Sequence, residues 1–304
     1  MEITASMVKE LRERTQAGMM DVKRALQEAD GDMDRAADIL REKGLSKAAK
    51  KADRIAAEGL VKIAIAEDGK TAAIIEVNSE TDFVAKNEEF IGFVKEVADT
   101  VLSKLPSSVE ELKTHMFAAT SEDIGTKLNG LIAKIGENMN IRRIATEKAT
   151  GAVVGYTHGT GKIAVLVNFD SDASPAELEE LGKDVAMQIA AMNPMYISRD
   201  DVDQNYITHE REILTAQAMN EGKPEEIAKK MVEGRLNKQL KEVCLLDQVF
   251  VKNSDLTISQ VIENKAKELG KSIKIAAIKR FEVGEGIEKK EENFAEEVAK
   301  QLGN

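Results

Sequence analysis

The chain has no tryptophan, a single cysteine and only three histidines in 304 residues. Aromatic residues make up 4% of it, too few for the stacking platforms that hold unpaired bases. The lone thiol, Cys244, has no partner for an internal disulfide, which suits a reducing cytoplasm. It stands in the apolar run VCLL, where a buried, inert thiol is expected rather than a nucleophile. His115, His158 and His209 are widely separated and lack cysteine or acidic neighbours at metal-ligand spacing. No nucleophile, base and orienting group stand out together, so neither a metal site nor a catalytic set is expected. No apolar run approaches the roughly twenty residues of a membrane-spanning helix. The opening stretch MEITASMVKELRERT lacks the apolar segment of a secretory leader. Positive charge is also short: 43 Lys and Arg stand against 54 Asp and Glu, a net charge of -11. Phosphate binding favours the opposite balance, so nucleic acid is not expected as the main partner.

What is present is strong patterning. Residues 1–44 read as three short helices. Thr4 caps a first helix bearing Met7, Val8 and Leu11, and Gly18 breaks it. Val22, Ala25, Leu26 and Ala29 mark the second, and Gly31-Asp32 the next break. Ala36, Ile39 and Leu40 mark the third, which is expected to stop at Gly44. Residues 45–57, LSKAAKKADRIAA, form a Lys- and Ala-rich linker, either a solvated spacer or a basic patch for an acidic partner.

The period then changes to two. GLVKIAIAEDGKTAAIIEVN predicts two strands around a turn at Glu67-Asp68-Gly69, followed by a helix through Phe90, Phe93, Val94, Val97 and Val101. GAVVGYTHGTGKIAVLVNF repeats the plan, with a helix through Leu178, Leu181, Val185 and Ile189. Aligned without gaps, Gly59 falls on Gly151, Gly69 on Gly161, Lys70 on Lys162, Ala72 on Ala164, Ile74 on Leu166 and Val97 on Ile189. These pairs suggest an internal duplication of one α+β unit. Residues 194–242 read as an antiparallel helical hairpin inserted in the second unit, broken at Gly222, Lys223 and Pro224. Ile207, Leu214 and Ala218 line one arm, and Ile227, Met231 and Leu236 the other. SIKIAAIKRFEV is expected as a late strand, and Phe294, Val298 and Leu302 mark a terminal helix. The expected organisation is α+β: a three-helix module at 1–44, a linker at 45–57, a first core unit at 58–140, and a second at 141–193 with 243–280. The hairpin at 194–242 interrupts that second unit, and a C-terminal module occupies 281–304.

Three phosphate-binding look-alikes fail on context. Gly69-Lys70-Thr71 ends a P-loop pattern, but Ala64 holds the position of the first glycine, and a strand follows. Gly270-Lys271-Ser272 has Lys265 there. Gly159-Thr160-Gly161 is also followed by a strand, where a dinucleotide fingerprint needs a helix. The chain itself is expected to bind no nucleotide and no cofactor.

Two long segments carry a specific resemblance. EVNSETDFVAKNEEF (76–90) and VKELRERTQAGMMDVKRAL (8–26) resemble the two signatures of the elongation factor Ts family. IGENMNIRR, YTHG, GKPEEIAKKMVEGR and FEVGEGIEK resemble further family segments in the family's order. Gln16 departs from the pattern, which has glycine there. The resemblance implies a ubiquitin-associated-like N-terminal module, two related core subdomains, a helical-hairpin dimerisation domain and a C-terminal helical module.

It also implies guanine-nucleotide exchange on elongation factor Tu, bound both with GDP and nucleotide-free, in the cytoplasm, with no direct role for nucleic acid or membrane. By the resemblance, Thr81, Asp82, Phe83 and Val84 disturb the partner's magnesium site. Met19, Met20, His158 and Phe294 are implied as partner contacts. The residues alone leave alternatives open: Asp82 as a helix cap with Phe83 in the core, one of the two methionines buried, His158 as a plain turn residue, and Phe294 packed on the protein's own core. An adaptor resembling ubiquitin-associated domains, without exchange activity, is the competing function. Whether two copies pair through the hairpin is also left open.

Overall fold

A computed structural model describes residues 3–15, 17–117, 122–222 and 224–288. Phe294 and the expected terminal helix lie outside the described residues, as do Gln16 and Lys223.

The chain opens with helices α1 (Ala5–Thr15), α2 (Met19–Glu28) and α3 (Met33–Ala49). Thr4 Oγ1 accepts the Met7 N–H at 3.3 Å, and Asp32 accepts the N–H groups of Asp34 and Arg35, so both helix starts satisfy donors that the helix leaves free. Leu11, Val22, Leu26 and Ala36 close a small core between the three. Gly44 does not end α3. The helix runs on to Ala49 because Leu45–Ala49 are mostly helix formers, and Gly44 is buried where α3 crosses a later helix, Ile124–Ile135, close to the Asn129 carbonyl.

The core continues with β1 (Glu58–Ile65), β2 (Thr71–Ser79), the one-turn helix α4 (Asp82–Ala85), α5 (Glu88–Lys104), α6 (Val109–Lys113), α7 (Ile124–Ile135) and β3 (Met139–Lys148). The strands form an antiparallel sheet in the order β1-β2-β3. From Met139 to Lys148, apart from a bulge at Arg142, β3 pairs with β2, so the expected unit boundary at residue 140 falls inside a strand. A second antiparallel sheet, ordered β4-β5-β8, is built from β4 (Ala152–His158), β5 (Ile163–Ser171) and a much later strand. Between β5 and that strand come α8 (Pro175–Met192), α9 (Gln204–Asn220), α10 (Glu225–Val243), a small hairpin of β6 (Val249–Phe250) and β7 (Asn253–Thr257), and α11 (Ile258–Leu269). Strand β8 (Ile273–Glu282) then completes the sheet.

Strand periodicity builds four layers. Ala73, Ile75 and Val77 on one face of β2 pack against Phe90, Val94 and Val97 of α5. Ala72 and Ile74 on the other face meet Val153, Ala164 and Leu166 of the second sheet. Val165, Val167 and Phe169 then face Leu178, Val185 and Ile189 of α8. The order is helices, sheet, sheet, helices, so β2 and β5 are buried on both faces. Ile74 and Leu166, matched in the sequence comparison of the two halves, meet in the same layer between the sheets.

Helices α9 and α10 pack on one another through Leu214, Ala218, Ala228 and Val232. Ile227 is exposed instead of lining this seam. Leu236 is buried as expected, whereas Ala228 and Val232 take the places expected for Ile227 and Met231, giving a stripe at a spacing of four.

Candidate functional site

Strand β2 leaves the core at Ser79 and gives way to a short turn held at both ends. Ser79 Oγ donates to the Thr81 carbonyl at 2.9 Å. Thr81 donates twice to Glu137, from its N–H at 3.0 Å and from its hydroxyl at 2.7 Å. On the far side Val84 and Ala85 are buried against the α5 core. Asn87 then caps α5 by accepting from the N–H groups of Glu89 and Phe90.

Between these anchors Phe83 stands 78% exposed. A phenylalanine presented to water on a braced turn is free to enter an apolar pocket of a partner, the role in which aromatic residues anchor binding surfaces. The reading of Phe83 as a core residue is therefore overturned. So is Asp82 as a helix cap: Thr81 occupies that position, and Asp82 begins the helical turn. Asp82 Oδ2 accepts from Lys86 Nζ at 2.7 Å, and the ammonium lies 5.8 Å from the Phe83 ring centre. The Lys86 hydrogen bond holds the Asp82 carboxyl below its usual value, so the group is anionic at neutral pH.

A second exposed hairpin joins β4 to β5. His158 ends β4, exposed, with Nδ1 2.9 Å from the Tyr156 hydroxyl. The same hairpin carries Lys162, which bonds Glu58 at 2.7 Å, and the charges of both act on Asp82. Through Lys162 the far end of this hairpin lies near Asp82.

Met19 and Met20 open α2, 56% and 63% exposed; both face solvent, where residue pattern alone put one in the core. They sit on the three-helix module, on different elements from residues 81–84 and 158. Cys244 is fully buried and its thiol is pushed up chiefly by that burial, which keeps it protonated. Among the described residues no group of three or more His, Cys, Asp or Glu is placed to hold a metal ion, and no helix is long and apolar enough to cross a membrane.

Glu137, Asn138 and Glu80 were missed as individual residues. The first two stand inside IGENMNIRR, a segment noted for its family likeness, but a lone acid and amide at a strand start carry no local signal of what they will reach.

The family model described as elongation factor TS matches residues 80–285, a span that includes the braced turn and the His158 hairpin. Elongation factor Ts of Clostridioides difficile (strain 630) is 59% identical over 302 residues, covering 99% of each chain. The chain belongs to the elongation factor Ts family. Elongation factor Ts of Clostridium botulinum (strain Alaska E43 / Type E3) is 55% identical over 302 residues, again with 99% of each chain covered. Elongation factor Ts of Clostridium acetobutylicum is 54% identical over 301 residues. The likeness to elongation factor Ts therefore extends through the N-terminal module with Met19 and Met20, which the family model does not span.

Proposed function

We propose that this protein is a guanine-nucleotide exchange factor for elongation factor Tu and promotes GDP release during translation elongation in the cytoplasm. The observation that carries the reading is Phe83, exposed on a turn whose two ends are fixed by Glu137 and by buried Val84. In this reading no bond is made or broken by the protein. A GTPase holds GDP through its phosphate loop and a magnesium ion. A factor that binds the partner more tightly when nucleotide and metal are loose weakens their affinity by the same ratio, because linkage is reciprocal.

Phe83 would enter a crevice beside the partner's metal site as an apolar wedge. Asp82, already anionic, would leave Lys86 and compete for polar contacts around the metal. The His158 hairpin would widen the contact, and Met19 and Met20 would supply an adaptable apolar patch on the three-helix module.

The test is release of a fluorescent GDP analogue from elongation factor Tu with catalytic amounts of the protein. Wild type is expected to accelerate release, and Phe83→Ala to lower kcat/KM about ten-fold or more, as for loss of a central aromatic contact. Full activity in a folded Asp82→Ala, Phe83→Ala double variant would remove the wedge. No acceleration by folded wild type would leave a binding adaptor as the better reading.

A further inference from the structure

Backbone pairing between β2 and β3 ends at Ser79 and Met139. Beyond that point two carboxylates replace the missing carbonyls. The Asn138 N–H donates to Glu80 Oε1, and one step further the Thr81 N–H donates to Glu137 Oε2 at 3.0 Å. Each strand end thus supplies an acceptor to the other. Glu137 uses both oxygens on one residue, because its Oε1 also accepts the Thr81 hydroxyl at 2.7 Å. Gly136 aims this carboxylate. It closes α7 with φ +90°, a left-handed conformation that turns the chain directly into β3.

The same step holds the chain on its other side. Asn138 Nδ2 donates to the carbonyls of Ala52, at 3.3 Å, and Arg54, at 2.7 Å, and Arg54 bonds Glu80 at 3.4 Å. The segment leaving the three-helix module and the turn bearing Phe83 are therefore fastened to adjacent residues.

We infer that Glu137 is a positioning residue for nucleotide release: it touches neither nucleotide nor metal, and holds the 81–84 turn in the pose that presents Phe83. The inference rests on the exchange reading above. A turn that samples other poses presents Phe83 only part of the time, and apparent affinity falls by that fraction. Glu137→Gln is nearly isosteric but removes the charge and leaves one acceptor for the two donors of Thr81, so the Thr81 hydroxyl keeps its bond only by turning to accept from the amide. Thr81→Val removes the hydroxyl arm alone.

The experiment measures GDP release by elongation factor Tu together with amide hydrogen exchange of the free protein. Glu137→Gln is expected to lower kcat/KM about ten-fold, with Thr81→Val milder, and to speed amide exchange within residues 81–85 while α5 and β5 stay protected. Because Glu137 acts through Phe83, Glu137→Gln should add little on a Phe83→Ala background. Wild-type exchange rates in folded Glu137→Gln would overturn the inference and leave the proposed function standing. So would a ten-fold loss that recurs in full on the Phe83→Ala background, which marks a general structural role. Folded wild type that fails to accelerate release would overturn both.

Discussion

The backbone N–H of Gly284 donates to Glu76 Oε1 at 2.8 Å, joining the turn after β8 to the middle of β2. Glu76 has no exposed surface. Its carboxylate also accepts from Arg143 Nε at 2.6 Å, Arg142 Nη1 at 3.1 Å and Asn78 Nδ2 at 3.0 Å. Burial alone would raise this carboxyl; the bonds from Gly284, Asn78 and Arg143 outweigh it and hold the group below its ordinary value. Glu76 therefore stays charged and clamps the two halves of the core at the point where the chain leaves β8. Glu76→Ala removes the shared carboxylate from Arg142 and Arg143, which keep only their bonds to Glu282 and Glu285, and from the Gly284 N–H. It is expected to cost about 3 kcal/mol in urea unfolding, the low end for breaking a buried ion pair because both arginines keep some contact with water.

The helical glycines divide by what surrounds them. Gly182 of α8 lies against β4, where an added Cβ would stand 2.5 Å from the Val154 side chain. Gly92 of α5 and Gly130 of α7 have nothing within 4 Å, and both open on a cleft of about 450 Å³ between these helices and the three-helix module. Gly182→Ala should destabilise by about 1–2 kcal/mol, because overpacking exceeds the gain in helix propensity. Gly92→Ala and Gly130→Ala should each stabilise by about 0.5–1 kcal/mol. Thermal melts of the three single variants check the sign in each case.

Phe83 and Val84 are adjacent and should behave oppositely. Phe83→Ala is expected to leave stability within about 0.5 kcal/mol, since the ring is mostly in water. Val84→Ala should cost about 2 kcal/mol, because Val84 is 5% exposed and packed in the helix-side core. Urea midpoints measured beside GDP release would show one variant losing function without stability, and the other losing stability first.

How far this fold is legible in its sequence depends on the range of the forces involved. The helix stripes of the first module were legible because each depends on neighbours three and four residues away. Leu11, Val22, Leu26 and Ala36 are the core that the spacing indicates. Strand–turn–strand segments were legible for the same reason. Gly44 misled because its role is set by a helix more than eighty residues on, which it meets at Asn129. Burial of Glu76 was invisible: an acid in a strand reads as a solvent-facing residue until a second sheet covers that side. The TDFV segment was legible through its likeness to elongation factor Ts, whereas its brace at Glu137 is a contact across 56 residues with no local pattern.

The start of α8 should be one acid-sensitive point of the fold, beside buried Glu76. Glu177 accepts from the Ser174 N–H and hydroxyl, each at 2.7 Å, and from Lys271 Nζ at 2.8 Å. Ser174 returns the bond to the Glu177 N–H, completing a capping box that Lys271 ties to the loop before β8. The Lys271 bond is the main cause, with Ser174 next, that brings the Glu177 carboxyl from 4.5 down to about 2. A depressed carboxyl stabilises the fold above its unfolded value, and the contribution is lost as protons are taken up toward the folded value. The stability difference between wild type and Glu177→Gln should therefore be full at pH 7, shrink below about pH 4.5 and vanish near pH 2. Denaturant midpoints of the two proteins across that range measure it, and subtracting one from the other removes the other acids that titrate there. A difference that held constant from pH 7 to about pH 3 would mean that the box acts through packing and not through charge. An NMR titration of the Glu177 carboxyl in the folded protein would then separate the two directly.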